Sequence, residues 1–239
     1  MPSLLERQQM KVHDPAAHTF WHWVRFDLLA RVAIDHAATE ILDIGAGSGM
    51  LGDWIQAEHP SIRYRFEELS PLLDQALVER FGAEARHPGD GNIPSTTVVA
   101  LLDVLEHIEH DRQALTTLFQ RMQPGGVLVV TVPALQWAFS SWDTELGHFR
   151  RYSRGQLRTV LGDAGFDVLS SNYLFPELLV MLPLRKLRRA KRTDVDFPQL
   201  SPWVNRVGYW ISSTTARLRR FWPLGTSVIA VATRQQSNG

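Results

Sequence analysis

The sequence predicts an α/β protein built on a doubly wound, mostly parallel seven-stranded sheet. Apolar runs typical of buried parallel strands alternate with segments of helical periodicity along the chain. A glycine-rich turn follows the first of these runs, where such folds bind ligands. The length of 239 residues suits one large α/β unit. We therefore expect a single domain over residues 1–239.

The predicted elements follow one another in alternating order. The strands are Ile41–Ile44, Ile62–Glu67, Ala83–Arg86, Thr96–Leu102, Val127–Val132, Asp167–Leu174 and Ser227–Thr233. The helices are 16–34, Met50–Glu58, Pro71–Phe81, Asp111–Met122 and Gln156–Ala164. Ser70 suits the N-cap of the helix that Pro71 begins, and Gly165 suits the C-terminal end of another.

Composition narrows the functional classes. The chain has no cysteine, which excludes disulfides, thiolate metal sites and cysteine nucleophiles, and which agrees with a reducing compartment. The N-terminus has no signal-peptide pattern, and no apolar run reaches about 18 residues. We therefore expect a cytoplasmic protein.

The turn after the first strand reads Gly45-Ala46-Gly47-Ser48-Gly49. Glycines there let backbone N–H groups approach a ligand at the positive end of a helix. Dinucleotide-binding folds need a further glycine at the position of Met50, so the spacing disfavours a dinucleotide. Glu67 and Glu68 end the next strand, where a carboxylate can accept both ribose hydroxyls.

Residues 41–49 resemble the first motif of class I S-adenosylmethionine (SAM) dependent methyltransferases. Further matches follow in the family's order: Phe-Glu-Glu-Leu-Ser-Pro at 66–71, Asp90, and the segments 101–108 and 122–126. The resemblance covers about residues 16–174 and the last strand. It implies SAM as the cofactor and a last strand that runs antiparallel between its neighbours.

The resemblance also implies a set of cofactor-binding residues. The glycine turn would cradle the methionine half of SAM, and the turn at Asp90 would face the adenine. Alignment of Leu-Ser-Pro assigns the ribose to Glu68, with Glu67 as the alternative. The implied residues are Asp43, Gly45, Ala46, Gly47, Gly49, Glu68, Leu69, Asp90, Gly91, Asp103 and Val104.

The sequence identifies the methyl acceptor less well than the cofactor. Positioning can supply much of the acceleration, and a base is needed only if the acceptor keeps its proton, so the reaction requires no fixed catalytic motif. Residues 103–106 stand where nucleic-acid amino methyltransferases carry Asn-Pro-Pro-Tyr, so we expect no nucleic-acid partner. The polar and aromatic segment 141–153 falls on a loop at the carboxyl edge of the sheet. It resembles a stretch in a subgroup of the family that methylates small molecules, sugars or lipid-linked compounds.

Within this loop Asp143 and His148 could deprotonate a hydroxyl, and Arg150, Arg151 and Tyr152 could hold an anionic acceptor. Alternatively, the arginines form surface ion pairs and Tyr152 caps the core. The predicted catalytic residues are His107, Asp143, His148 and Tyr152.

Histidines outside this loop allow two interpretations. His107 is either a base or a capping and packing residue. The resemblance implies that residues 1–38 form a helical lid, in which His18 and His22 with Trp21 and Trp23 would cover the ligand. Alternatively, Trp23 packs against the sheet and the histidines face solvent. The i, i+4 spacing of His18 and His22 permits a metal, but no carboxylate motif accompanies it, so we predict no metal site.

Residues 175–225 form a basic insertion, with ten Lys and Arg against three Asp and Glu. Seven residues in it share one helical face, with three arginines beside it: Trp203, Val207, Trp210, Ile211, Thr214, Leu218 and Phe221, then Arg206, Arg217 and Arg220. The insertion is either a lid or dimer element whose apolar face covers the active site, or a peripheral contact through 178–221 with the inner membrane face. A helical stripe disfavours nucleic acid, which needs an open stacking platform.

The sequence therefore predicts an enzyme that transfers a methyl group from SAM to an oxygen or nitrogen of a small acceptor, sugar- and lipid-linked compounds included. Two alternatives stay open: a nicotinamide (NAD) dependent oxidoreductase, and a SAM-binding protein without turnover. The oligomeric state is not predicted.

Overall fold

A computed structural model describes residues 19–181 and 200–235. Within these ranges one sheet has the strand order β2-β1-β3-β4-β6-β5. Its strands are β1 Glu40–Ile44, β2 Arg63–Glu67, β3 Thr97–Leu102, β4 Val127–Pro133, β5 Asp167–Leu174 and β6 Ser227–Thr233. The helices are α1 Phe20–Asp35, α2 Met50–Glu58, α3 Pro71–Phe81, α4 Asp111–Arg121, α5 Ser141–Glu145, α6 Arg154–Asp163 and α7 Pro202–Arg217.

The sheet topology creates a crevice at one edge. Strands β1, β2, β3 and β4 are parallel, whereas β6 runs antiparallel between β4 and β5, as expected. The chain leaves β1 for β2 on one side and reaches β3 on the other side, so the strand order reverses between β1 and β3. Ligands of open α/β sheets bind beyond the carboxyl ends of the strands at such a reversal.

The predicted strand at Ala83–Arg86 is wrong. Residues 83–85 form a short 3-10 turn, and only Arg86 bridges to the sheet, opposite Phe66. Pro88 has no backbone N–H, so the segment is interrupted before a ladder can extend. The described residues therefore form six strands instead of seven.

Both faces of the sheet are covered, which explains the continuous apolar strands. Along β1 the side chains alternate, so Ile41 packs with Leu29 and Phe66 on one face and Leu42 packs with Leu128 on the other. These side chains are fully buried. Each contributes about 1.5–3 kcal/mol to folding, and together they hold the carboxyl ends of the strands in register.

Helix α7 packs on α1 through its small and polar residues. Asn205 accepts a hydrogen bond from the Phe20 N–H at 3.1 Å, and Ser212 and Ala216 are buried. A Cβ atom on Gly208 would lie 2.5 Å from the Phe20 ring, so only glycine permits this approach.

The apolar stripe of α7 is therefore exposed in the described structure, and Trp203 and Trp210 are 72% and 67% accessible. Phe221, in the 3-10 turn Arg219–Phe221 that follows α7, is 64% accessible. None of the described helices is both long and apolar enough to cross a membrane. The basic run at 185–192 and His18 lie outside the described residues.

Candidate active site

The glycine turn between β1 and α2 depends on left-handed backbone conformations. Gly45 has a φ of +76°, and a Cβ atom there would lie 2.8 Å from a methyl group of Val104. The N–H groups of Gly45 and Ala46 donate to the Glu67 carbonyl at 2.8 and 3.3 Å, which joins the turn to the end of β2. The turn is thus built for close approach of the backbone.

Glu68 connects this turn with the start of α3. Its carboxylate accepts the Gly47 N–H at 2.8 Å and the Ser70 N–H at 2.9 Å. A carboxylate has about four acceptor sites, so two are left for a ligand such as the ribose diol of SAM. Leu69, the next residue, is 99% exposed and presents an apolar surface beside that carboxylate. These residues fit a nucleoside.

Glu67 has a different environment, although it is adjacent in sequence. Its carboxylate contacts His87 Nδ1 at 2.7 Å and is held by two Arg121 nitrogens. Arg121 Nε also donates to the Gly91 carbonyl at 3.1 Å. Glu67 therefore fastens the turn that carries the exposed Asp90.

Asp43 lies buried beneath the glycine turn. It is 4% exposed, and it accepts the Tyr64 hydroxyl at 3.1 Å. Burial raises the pKa of this carboxyl to about 7, although the Tyr64 hydrogen bond lowers it. Asp43 therefore supports the turn from below.

Asp103, directly after β3, is held in an unusual conformation. Its φ is +57°, a region that costs a non-glycine residue energy and that clusters at functional sites. Arg25 Nη1 donates to its carboxylate at 2.5 Å, and the Thr131 hydroxyl donates at 3.3 Å. Asp103 thus faces the crevice between β1 and β3 with its carboxylate fixed.

Arg25 is a site residue that sequence reasoning missed. Its side chain is 9% exposed, and its Nη2 also donates to the Ser227 hydroxyl at 3.0 Å. A charged residue among the apolar positions of helix 16–34 was the available signal, because buried arginines are rare unless paired. Arg25 ties α1 to the cofactor end of the sheet.

Two histidines meet on the acceptor side of the crevice. The rings of His107 and His148 are 4.6 Å apart at an angle of 83°. His148 Nδ1 lies 3.2 Å from Asp143, which is fully buried and also accepts Arg151 Nε at 2.7 Å. Burial opposes ionisation, but hydrogen bonds from His148 and Arg151 lower the pKa of Asp143 far below its usual range. Asp143 is a permanent anion that orients His148.

Glu106 completes what we call the histidine cluster: Glu106, His107 and His148. Glu106 is 1% exposed, and its Oε2 atom has no hydrogen-bond partner within residues 19–181 and 200–235. Burial and the charge of Asp103 raise its pKa well above the usual range. Burial and the neighbouring His148 lower the pKa of His107 to about 4, so its ring is neutral at pH 7.

Tyr152 and Arg150 do not join the histidine cluster. Tyr152 is 3% exposed, and its hydroxyl donates to Asp111 at 2.7 Å. Arg150 pairs with the same carboxylate at 2.7 Å. For Arg150 and Tyr152 these contacts agree with the alternative interpretation of surface ion pairs and a tyrosine that caps the core, whereas Arg151 pairs with the buried Asp143.

The cofactor and acceptor residues adjoin each other. The negative charge of Asp103 adds to the effect of burial in raising the pKa of Glu106, and it offsets part of the lowering of the pKa of His107, so its carboxylate lies near the histidine cluster. The crevice thus combines a turn suited to a nucleoside with a half-buried pair of imidazoles. Transfer of a group between two bound molecules requires such proximity.

Comparison with known proteins shows which family the chain resembles. A model of the methyltransferase domain matches residues 20–171. A protein of Mycolicibacterium smegmatis named "Probable S-adenosylmethionine-dependent methyltransferase" is 27% identical over 160 residues, which cover 64% of this chain and 62% of that protein. The mitochondrial ubiquinone biosynthesis O-methyltransferase of Schizosaccharomyces pombe is 26% identical over 143 residues, 48% of this chain and 51% of that protein.

A solved structure extends the similarity to nearly the whole chain. The chain that accompanies the Trm112 methyltransferase activator of Haloferax volcanii superposes with a TM-score of 0.62 and 15% identity, over 99% of this chain and all of that one. Identity this low shows the fold alone. The sequence matches span less than two thirds of either curated relative.

Proposed function

Because this chain belongs to the class I family of SAM-dependent methyltransferases, we propose that it transfers the methyl group of SAM to a hydroxyl oxygen of a small acceptor. The family favours SAM over the nicotinamide alternative. The choice of oxygen over nitrogen depends on one observation: Asp143 orients His148 beside the neutral His107.

The cofactor edge consists of the turn 45–49, Glu68, Leu69 and Asp103. Bound there, SAM supplies an activated methyl group on a sulfonium. We assign Glu68 to the ribose, because Glu67 is already engaged by Arg121 and His87. Leu69 and Asp90 would adjoin the adenine, and Asp103 the amino-acid end. Arg25 of α1 fixes Asp103, which supports the described part of the predicted lid, residues 19–38, as a segment over this edge; residues 1–18 lie outside the described residues.

The acceptor edge, which consists of the histidine cluster and Asp143, suits the methylation of a hydroxyl oxygen. A hydroxyl keeps its proton at neutral pH, so methylation at oxygen needs a base or a comparable activating group. With Nδ1 directed at Asp143, His148 can use Nε2 to accept that proton. During methyl transfer His148 would take up the hydroxyl proton at Nε2, and the carboxylate of Asp143 would stabilise the imidazolium that results. The name of the yeast relative, an O-methyltransferase, agrees with this class.

The test compares acceptors and variants. Paired hydroxyl and amine analogues of the same phenolic and sugar scaffolds are incubated with SAM, and products are identified by mass spectrometry. We expect a methyl gain on the hydroxyl member only. His148→Gln should lower kcat by about 10²–10⁴-fold, the usual contribution of a general base, with the KM for SAM unchanged. The exposed His110 is the matched control, since His110→Gln should leave kcat as it is.

Methylation of amines alone would refute oxygen as the acceptor atom. An unchanged kcat in His148→Gln on a hydroxyl acceptor would refute His148 as the base. Binding of S-adenosylhomocysteine without turnover on any acceptor would favour the non-catalytic alternative.

We also propose that the exposed stripe of α7 contacts an anionic lipid surface, as a lipid-linked acceptor would require. Trp203 and Trp210 are largely exposed on a helix whose opposite side packs on α1. Arg206, Arg217 and Arg220 are exposed around the stripe. Tryptophan beside arginine suits the boundary between headgroups and acyl chains, and each arginine near such a surface contributes about 1 kcal/mol.

Co-sedimentation with phosphatidylserine-containing vesicles tests this surface. The double variant Trp203→Ala, Trp210→Ala should bind at least about tenfold more weakly, or about 1.4 kcal/mol, while Trp137→Ala should bind like the wild type, since Trp137 is exposed elsewhere. Equal binding of both variants would contradict the proposal. So would a chain that dimerises through these tryptophans and ignores vesicles.

A further inference from the structure

We propose that the histidine cluster is a site for one divalent transition-metal ion of the zinc type. The inference concerns the acceptor edge and rests on the proposed function only for the role of the ion. It departs from the sequence analysis, which predicted no metal site. Glu106 and His107 are adjacent, but His148 lies 41 positions further along the chain, so no spacing motif indicates the site.

The geometry brings three ligand atoms together. One atom from each of Glu106, His107 and His148 lies within 4.8 Å of the other two. A tetrahedral site with bonds of 2.0–2.1 Å separates its ligand atoms by about 3.4 Å. Side-chain rotations that move the ligand atoms by about an ångström would therefore let all three residues bind one ion.

The unpartnered oxygen of Glu106 is an independent sign of a missing ligand. This residue is 1% exposed, and Oε2 has no hydrogen-bond partner among the described residues. A buried polar atom without a partner costs about 1–3 kcal/mol, and such atoms are rare in native proteins. A cation between Glu106 and the imidazoles would satisfy this oxygen.

The contacts behind His148 are those of a metal ligand. Metal-binding histidines commonly donate their second N–H to a carboxylate, which fixes the ring and its tautomer. His148 has this contact, from Nδ1 to Asp143 at 3.2 Å, and Asp143 is anchored in turn by Arg151 and Ser140. His107 Nδ1 faces the loop that carries His148, since a Cβ atom on Gly147 would lie 3.8 Å from it. With Nδ1 of His148 directed at Asp143, the Nε2 atom of His148 is the one that can bind an ion.

The donor set selects the class of ion. Two imidazoles and one carboxylate suit zinc and its neighbours, whereas magnesium and calcium prefer oxygen ligands alone. Three protein ligands leave a coordination position for the acceptor, as in catalytic zinc sites. A hydroxyl bound there would release its proton to solvent more readily, and the oxygen would then take the methyl group from sulfur. His148 would act as a ligand in this form instead of as the base.

Metal binding is measured on the full chain after chelation and dialysis. Zinc is titrated by calorimetry, and cobalt is followed by its visible absorption, which reports tetrahedral coordination. We expect one equivalent per chain. His148→Gln and Glu106→Gln should weaken binding at least about 100-fold, and Asp143→Asn about 10–100-fold, as for other residues that orient metal ligands. His110→Gln should bind like the wild type, and circular dichroism checks that each variant is folded.

The absence of stoichiometric binding, or equal binding in the wild type and the His148 and Glu106 variants, would overturn the proposal. The two proposals fail separately. If the metal-free chain methylates hydroxyls at full rate, the proposed function holds and the ion has no part in the reaction. If the chain binds zinc but does not methylate hydroxyls, the metal site holds and the proposed reaction is refuted.

Discussion

The cofactor edge and the histidine cluster lie side by side but are built differently. Backbone groups define the cofactor edge: left-handed glycines, and N–H groups that donate to Glu68. Buried side-chain charge supports the histidine cluster, because the fully buried Asp143 accepts hydrogen bonds from both His148 and Arg151. Steric changes should therefore damage cofactor binding, whereas loss of a buried charge should damage folding and acceptor chemistry.

The largest effect is expected for Asp143→Ala. It leaves Arg151, whose side chain is 11% exposed, without its carboxylate partner. Removal of one partner of a buried ion pair costs about 3–5 kcal/mol. Urea unfolding should show a loss of that size.

The milder Asp143→Asn should keep part of the hydrogen bonding and lose less stability. The affinity of either folded variant for S-adenosylhomocysteine should stay within about twofold of the wild type, or about 0.4 kcal/mol. A loss of cofactor affinity as large as the loss of turnover would mean that the two regions are not separable.

The second prediction addresses the cofactor edge. Gly45→Ala places a Cβ atom against Val104 and forces alanine to a φ of +76°. The left-handed conformation alone costs about 1–2 kcal/mol, and the clash adds to it. We expect calorimetry to show at least about 100-fold weaker binding of S-adenosylhomocysteine, or about 2.7 kcal/mol.

The double variant Gly45→Ala, Val104→Ala separates the two causes. It should recover the steric part of the loss but not the backbone part. Complete recovery would mean that backbone strain contributes nothing at this turn.

The third prediction concerns pH and Asp43. Burial raises its folded-state pKa from 3.8 to about 7. Its contribution to stability is therefore complete below pH 3.8 and is lost as pH rises through about 7. Asp43→Asn removes this dependence and should gain about 2–3 kcal/mol on the wild type between pH 5 and pH 8. Unfolding at both pH values measures the difference, and parallel pH profiles would rule out a raised pKa.

Sequence reasoning succeeded where the signals are local. Ser70 accepts the Leu73 N–H as the predicted N-cap, and α3 covers Pro71–Phe81 as expected. It failed at 83–86, where the proline in His87-Pro88 outweighs the strand pattern. Local rules describe backbone turns and caps well, because their partners lie within a few residues.

The contacts that decide the chemistry join distant residues. The salt bridge between Arg25 and Asp103 spans 78 positions, and the hydrogen bond between Tyr152 and Asp111 spans 41. The sequence around Arg25 or Tyr152 does not indicate which distant carboxylate its side chain will contact. The stripe of α7 shows the same limit. The helical period of its apolar residues was predicted correctly, but the sequence did not indicate that α7 packs on α1 by its opposite face.

Calorimetric titration of S-adenosylhomocysteine into the wild type, Glu68→Gln and His148→Gln tests the division between the two regions most directly. Glu68→Gln loses charge-assisted hydrogen bonds worth about 1.5–3 kcal/mol, so its Kd should rise at least about tenfold. His148→Gln should bind within about twofold of the wild type, or about 0.4 kcal/mol. The opposite pattern, with Glu68→Gln unaffected and His148→Gln impaired, would contradict the assignment of the cofactor to the turn at 45–49 and of the acceptor to the histidine cluster.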